Sequence, residues 1–260
     1  MTLWGTLQSQ IVRFHRSPLL WFHITSALIL PLLCGFYFAV SPWNPLMGTD
    51  AYVQTLGALM PLAICIVIAF DIEIERQAGE LTTLLAAPSR ALSMLGKLFA
   101  YALLGLATLA ACYAIFIGIL SGYGRDIPSL SSLTLSCVVL WLGSLLLYPF
   151  ALWSALKLGR NVTIAIGAVL SAIAILSLGG LAHGLVSRQL TAAQSPTIVY
   201  ALPMAWPTRM GSLALEHGIN AHVSLQPLLT HTGIALASVL ILTAILCVWI
   251  GSYEDRKREF

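Results

Sequence analysis

The apolar residues of this chain come in long unbroken runs. Six stretches, 19–40, 52–70, 98–121, 131–156, 162–187 and 228–252, contain no Asp, Glu, Lys or Arg and together make up more than half of the 260 residues. Each meets or approaches the ~20 residues that a helix needs to cross a ~30 Å hydrocarbon core. A helix is also the form in which a single crossing segment satisfies its own backbone groups. The pattern predicts an all-α, polytopic membrane protein with six transmembrane helices, forming one transmembrane domain over 1–260.

Two segments outside the runs carry patterns of their own. Over 1–18, Leu3, Trp4, Leu7, Ile11 and Phe14 recur at helical spacing, with Gln8, Gln10, Arg13 and Arg16 elsewhere on the turn. That describes an amphipathic interfacial helix, and Ser17–Pro18 turn the chain into the first span. A frayed juxtamembrane segment is the plainer alternative. The outer segment 188–227 mixes Pro196, Pro203, Pro207 and Trp206 with apolar runs such as 198–206, too short to cross. Half-helices packed on the bundle and a plain outer loop both fit it.

Composition and charge then set orientation. Charged residues number 23, or 9%, against about a quarter in a soluble domain. With six spans the termini share a side, which collects Arg13, Arg16, Arg76, Arg90, Lys97, Lys157, Arg160, Arg256, Lys257 and Arg258, while the other side holds Arg125, Arg188 and Arg209. This positive-inside bias places both termini and the loops 71–97 and 157–161 in the cytoplasm of a multi-pass cell-membrane protein. The net charge of +3 thus reports topology in a lipid bilayer and calls for no nucleic-acid partner. Residues 1–18 are too polar for the apolar region of a cleavable signal peptide. Cys34, Cys65, Cys112, Cys137 and Cys247 fall inside predicted spans, where a buried small hydrophobe is the ordinary role.

The densest motif lies between spans two and three, from Asp71 to Lys97. It reads DIEIERQAGELTTLLAAPSR followed by ALSMLGK, and Leu81, Leu84 and Leu85 form an i, i+3, i+4 apolar edge that stops before Pro88. A short amphipathic helix held against the membrane face, acidic at its entrance and basic after its exit, is a shape that a cytoplasmic partner can push. Exposed carboxylates at Glu75 and Glu80, near a helix start, suit both the helix dipole and a basic partner surface.

The ordered set of Glu75, Gly79, Glu80, Leu81, Leu84, Leu85, Pro88 and Arg90, with Gly96–Lys97 ahead of a span, resembles the cytoplasmic loop after the second span of ABC-2-type transporter permeases. The interfacial helix, six spans and long outer segment fit the same outline. The resemblance implies that Glu75, Gly79, Glu80, Leu81, Leu84, Leu85 and Pro88 form a cytoplasmic coupling helix and its turn. Arg90 and Lys97 would then fix its exit to headgroups or to the acidic residues before it.

The resemblance also implies two partners, an ABC ATPase subunit and a second permease subunit in a homo- or heterodimer. ATP and Mg would sit on the ATPase, with no cofactor and no catalytic residue in this chain; no Gly-x-x-x-x-Gly-Lys-Ser/Thr phosphate loop occurs in it. The loop wording, with Tyr200–Pro207, is most similar to the small permeases of lantibiotic-immunity transporters. That implies export of an amphipathic or antimicrobial peptide, and a span surface free of charge suits a membrane-embedded substrate. Drugs or lipid-linked substrates, or a non-transporting scaffold or sensor coupled to an ATPase, are the alternatives.

Other constellations carry less. Asp71, Glu73 and Glu75 could suggest a metal site, but a spacing of two on a helix points successive side chains ~200° apart and no His lies nearby in sequence. His23, His183 and His231 fall in spans as candidate proton relays, and His217 and His222 lack a third ligand. Gly179, Gly180 and Gly184 offer close helix packing. An intramembrane enzyme would need paired acids, a Ser/His set or a zinc motif inside a span, and the sequence holds none.

Overall fold

The computed structural model describes residues 2–15, 17–79, 81–85, 87–177, 201–220 and 222–253. The expectations for Arg16, Glu80, Gly179, Gly180, His183, Gly184, Arg188, Pro196, Arg256, Lys257 and Arg258 lie outside these residues. Every regular element among the described residues is helical. In chain order they are α1 (Leu3–His15), α2 (Pro18–Val40), α3 (Pro45–Gly79), α4 (Thr82–Leu85), α5 (Arg90–Gly122), α6 (Leu130–Ser144), α7 (Leu147–Leu158), α8 (Arg160–Ser177), α9 (Trp206–Ile219) and α10 (Gln226–Gly251).

Six helical segments are long and apolar enough to cross a membrane: α2, α3, α5, α6 with α7, α8 and α10. Each coincides with one of the six charge-free runs, so the protein is an all-α polytopic membrane protein. The fourth span is broken at Leu145–Leu146. Pro149, four residues beyond Leu145, has no amide proton and its ring crowds that carbonyl. The chain answers with i to i+3 bonds, Leu145 to Leu142 (3.2 Å) and Tyr148 to Leu145 (3.3 Å).

Two helices outrun the bilayer. The 35 residues of α3 and the 33 of α5 extend to about 52 and 50 Å at 1.5 Å per residue, against a ~30 Å hydrocarbon core. Their excess length emerges at the end of the bundle where α1 also sits. The segment 71–97 is therefore mostly helix continuous with the two spans, through Gly79 on one side and from Arg90 on the other. We call this the basal end; it also holds the Gly159 turn and the last turn of α10, tied together by bonds from Arg76 and Tyr253 to the Leu156 carbonyl.

Helix α3 is the axis of the fold, packed against α7, α8 and α9, while α2 lies on α5 and α6 on α9. Side chains such as Leu33 of α2 and Val248 of α10 face outward, where lipid tails are as apolar as the protein interior and the hydrophobic effect brings no helices together. Close backbone approach does that work at the distal end. A methyl group on Gly57 of α3 would run into the Thr208 backbone at the start of α9, and Gly143 of α6 touches Trp206 and Pro207 of the same turn. Gly57 lies twelve residues into α3, about 18 Å along its axis. Helix α9 thus begins deep in the bundle and climbs back to the distal end, where Gly218 meets Ser132. Of the two readings open for the outer segment, the described residues 206–219 take the packed half-helix.

Candidate functional site

The motif segment folds into a tight connection between the two longest helices. Leu81 adopts a left-handed backbone conformation, φ 61°, which costs a side-chain-bearing residue about 1–2 kcal/mol. Its side chain is fully buried, as is that of Leu84; both join the basal apolar cluster with Leu7 and Phe14 of α1, Ile72 of α3, Met94 of α5 and Ile250 of α10. Packing therefore holds the turn that a glycine would ordinarily make. The amides of Leu84 and Leu85 bond to the Leu81 carbonyl (2.9 and 2.8 Å), forming the single turn of α4. Leu85 is half-buried, Gly79 half-buried and Pro88 exposed.

Among the described residues Arg90 bonds to backbone carbonyls at two helix ends. Its Nε donates to the Leu85 carbonyl (3.0 Å) and its Nη1 to the carbonyls of Gly251 (3.3 Å) and Tyr253 (3.0 Å). Helix C-termini leave their last carbonyls unbonded and carry the negative end of the dipole, so one guanidinium closes α4 and α10 together. Ser89 caps α5 by accepting from the Leu92 amide (3.3 Å).

Beneath the loop lies an ion network that spans three helices. Asp71 and Glu75 are one helical turn apart on α3, Lys97 and Tyr101 one turn apart on α5, and Arg13 comes from α1. Asp71 Oδ2 accepts from Arg13 Nη2, Lys97 Nζ (3.1 Å) and the Tyr101 hydroxyl. Glu75 Oε2 accepts from Arg13 Nη1 (2.7 Å) and Lys97 Nζ. Lys97 is 1% exposed, and Asp71 and Glu75 are buried. Two cations facing two anions make the group neutral, which is what lets charges sit out of water at a tolerable cost. Burial disfavours the Arg13 charge, but Asp71, with Tyr101 and Glu75, outweighs it and holds the guanidinium above its usual range. The Phe14 ring packs at a tilt of 42° against Tyr101, centroids 5.4 Å apart, and shields the network. Thr6 packs on Gly96, where an added methyl would come within 2.8 Å of the Thr6 Cβ.

This geometry corrects the sequence reading of Glu75. It was expected as an exposed carboxylate near a helix start; it is buried near the C-terminal end of α3, because the helix runs on to Gly79. The expectation that Lys97 meets the preceding acidic residues agrees with its contacts. Arg13, Asp71 and Tyr101 complete the network and lie outside the ordered set of motif residues. The i, i+4 spacing of Asp71 with Glu75 and of Lys97 with Tyr101, matched on two adjacent spans, is the signal that points to them. Glu73 faces away and pairs with Arg76 (3.7 Å) and Gln77 (2.8 Å). On α1, Gln10 is buried and Arg13 turned inward with Leu7 and Phe14, whereas Trp4, Ile11 and Val12 face out. The apolar positions of that helix divide between two faces.

A second polar group lies at the distal end. Asp50 of α3 accepts from Gln54 Nε2 (2.8 Å) and from the Ser212 hydroxyl of α9, with Arg209 and Glu216 close enough to act on it electrostatically. All five are buried. The bundle is therefore not free of charge, as the runs alone implied, because α3 starts at Pro45 and α9 carries its charges inward. His23 bonds to Thr108 (2.8 Å), His217 to the Val223 carbonyl (2.6 Å) and His231 to the Pro227 carbonyl. Among the described residues no group of His, Cys, Asp and Glu converges as a metal site.

The described residues thus form a bundle of six apolar spans with a braced loop at one end. Residues 6–174 match the sequence model of the ABC-2 family transporter proteins, and the chain belongs to that family. The match takes in most of α1, the loop, the ion network, the first four spans and most of the fifth, and stops ahead of α9 and α10. No curated protein matches the chain.

Proposed function

We propose that this chain is the permease subunit of an ATP-driven ABC exporter, and that the basal loop from Gly79 to Arg90 receives the push of a separate ATPase subunit. The observation that carries this reading is the mounting of the loop. Leu81 and Leu84 seat it in the apolar core, Arg90 ties its exit to α10, and the two helices that it joins are long, stiff and cross-linked beneath it. A force on so short and braced a connection reaches the spans instead of bending the loop. Leu85, Gly79 and Pro88 offer the outer surface, the role of Glu80 resting on the sequence motif alone; Glu75 and Lys97 serve from beneath. In the sequence, ten of the 13 basic residues belong to the termini and to the loops 71–97 and 157–161, which supports a cytoplasmic basal end.

In this reading a second permease subunit pairs with the first, ATP and Mg²⁺ bind to the ATPase, and the substrate is an amphipathic peptide, with drug-like or lipid-linked molecules the alternative. Export follows from a shift between two global states that the ATPase binds differently. The test is to replace Leu84 and Leu85 by Ala in the complex with the ATPase that co-purifies with the chain. Loss of substrate-stimulated ATP hydrolysis with normal insertion and complex yield is the expected result. Unchanged stimulation overturns the coupling role, and an ATPase that no peptide, drug or lipid stimulates even in the parent complex favours a scaffold or sensor.

A further inference from the structure

The ion network reaches further than the two spans joined by the loop. Each of its two carboxylates, Asp71 and Glu75 on α3, is shared by one cation from α5, Lys97, and one from α1, Arg13. No carboxylate is left to a single partner, so α1 cannot separate from either span without stranding charge out of water, at a cost of several kcal/mol per ion. The apolar contacts follow the same plan: Thr6 against Gly96, Phe14 against Tyr101, and Leu7 in one cluster with Leu81 and Leu84 of the loop. The outward face of the same helix, Trp4, Ile11 and Val12, is exposed and apolar.

We infer that α1 is a working part of the coupling joint: Arg13 is a positioning residue that makes α1 move as one body with the basal ends of α3 and α5 when the loop is displaced. This rests on the proposed role of the loop. The consequence is that a push delivered at residues 79–89 swings a membrane-surface helix along with the two spans and carries its Trp4, Ile11 and Val12 face through the bilayer boundary. A helix serving only as an anchor would hold its place there while α3 and α5 moved past it.

The distinction is measurable in the complex with the co-purifying ATPase, in lipid nanodiscs, nucleotide-free and trapped with Mg-ATP and vanadate. Spin labels go on cysteines replacing Gln8 on α1, Phe99 on α5 and Leu130 at the distal start of α6, all exposed, with the five native cysteines replaced by Ala. On trapping, the Gln8–Leu130 and Phe99–Leu130 distances are expected to shift together by on the order of 2 Å, with Gln8–Phe99 unchanged. In Arg13→Gln the Phe99–Leu130 shift persists while Gln8–Leu130 loses most of its own, and Arg13→Lys restores it. If Phe99 moves and Gln8 stays fixed in the parent complex, the inference is overturned and the loop's role stands. If neither distance changes, the loop's role fails and the inference goes with it. If Arg13→Gln leaves α1 moving with α5, Arg13 is not the tie.

Discussion

The two ends of α3 hold buried acids in different ways. At the basal end Asp71 and Glu75 are neutralised by Lys97 and Arg13 from two other helices. At the distal end Asp50 takes its hydrogen bonds from neutral donors, Gln54 of its own helix and Ser212 of α9, with Arg209 and Glu216 acting on it through space and the backbone contact at Gly57 close by. Coulomb attraction in a poorly screened interior falls off only as the inverse of distance, so an ion network survives small displacements and can exchange partners within itself. A hydrogen bond weakens steeply once its geometry is lost, and a contact made without a Cβ has no side chain to adjust. The basal arrangement suits a joint that transmits movement; the distal one suits a helix held in place.

Removing the central cation should break the comparison most severely. Lys97→Met leaves two buried carboxylates with only the partly exposed Arg13, and a loss of about 3–5 kcal/mol is expected, read as a large drop in the thermal unfolding midpoint in detergent. Lys97→Met with Glu75→Met should recover much of it, because the stranded charge is gone; a double variant no better than the single would show that packing, not charge, holds the joint. At the distal end the severe change is steric. Gly57→Ala sets a methyl against the Thr208 backbone and should cost about 1–3 kcal/mol, with a cysteine at Ser212 becoming reactive to a small thiol reagent as α9 lifts.

Gentler changes sharpen the contrast. Asp50→Asn keeps an acceptor for Ser212 and should cost only about 1 kcal/mol, while Asp71→Asn, facing two cations, should cost clearly more in the same melting assay; equal losses would make the two ends alike. The smallest effect concerns salt. Raising ionic strength to about 1 M, where the screening length is ~3 Å, should leave the basal network intact because Lys97 is 1% exposed, so the midpoint difference between the parent and Lys97→Met stays unchanged. A difference that collapses in salt would mean that water reaches the network.

Much of the fold could be read along the chain. The six spans follow from where charge is missing. Leu81, Leu84 and Leu85 read as the edge of one short helix; Leu81 and Leu84 are fully buried, but Leu81 precedes the single turn of α4 in a left-handed conformation. The site was legible as a segment and misread in its directions. Glu75 looked like a loop residue because its neighbours are polar, yet α3 continues past it and turns it inward. Arg90 reads in the sequence as a partner for acids or headgroups, and its bonds to two helix ends, one of them 160 residues away, have no signal there. The distal group is faint in the sequence because Asp50, Arg209 and Glu216 each sit just outside an apolar run, although Asp50 and Gln54, and Arg209, Ser212 and Glu216, fall at helical spacing.

The sequence by itself determined how many helices cross the bilayer and roughly where each one lies, since hydrocarbon excludes charge whatever a helix has for neighbours. It also marked the loop between the second and third spans as the segment with chemistry to spare. Only the tertiary structure decided which charges meet. Arg13 and Asp71 are 58 residues apart, and Asp50 and Ser212 162; such pairings exist only once helices pack with a given rotation and depth. That rotation is set by close contacts such as Gly96 with Thr6 and Gly57 with Thr208, whose fit depends on both partners and is written in neither alone.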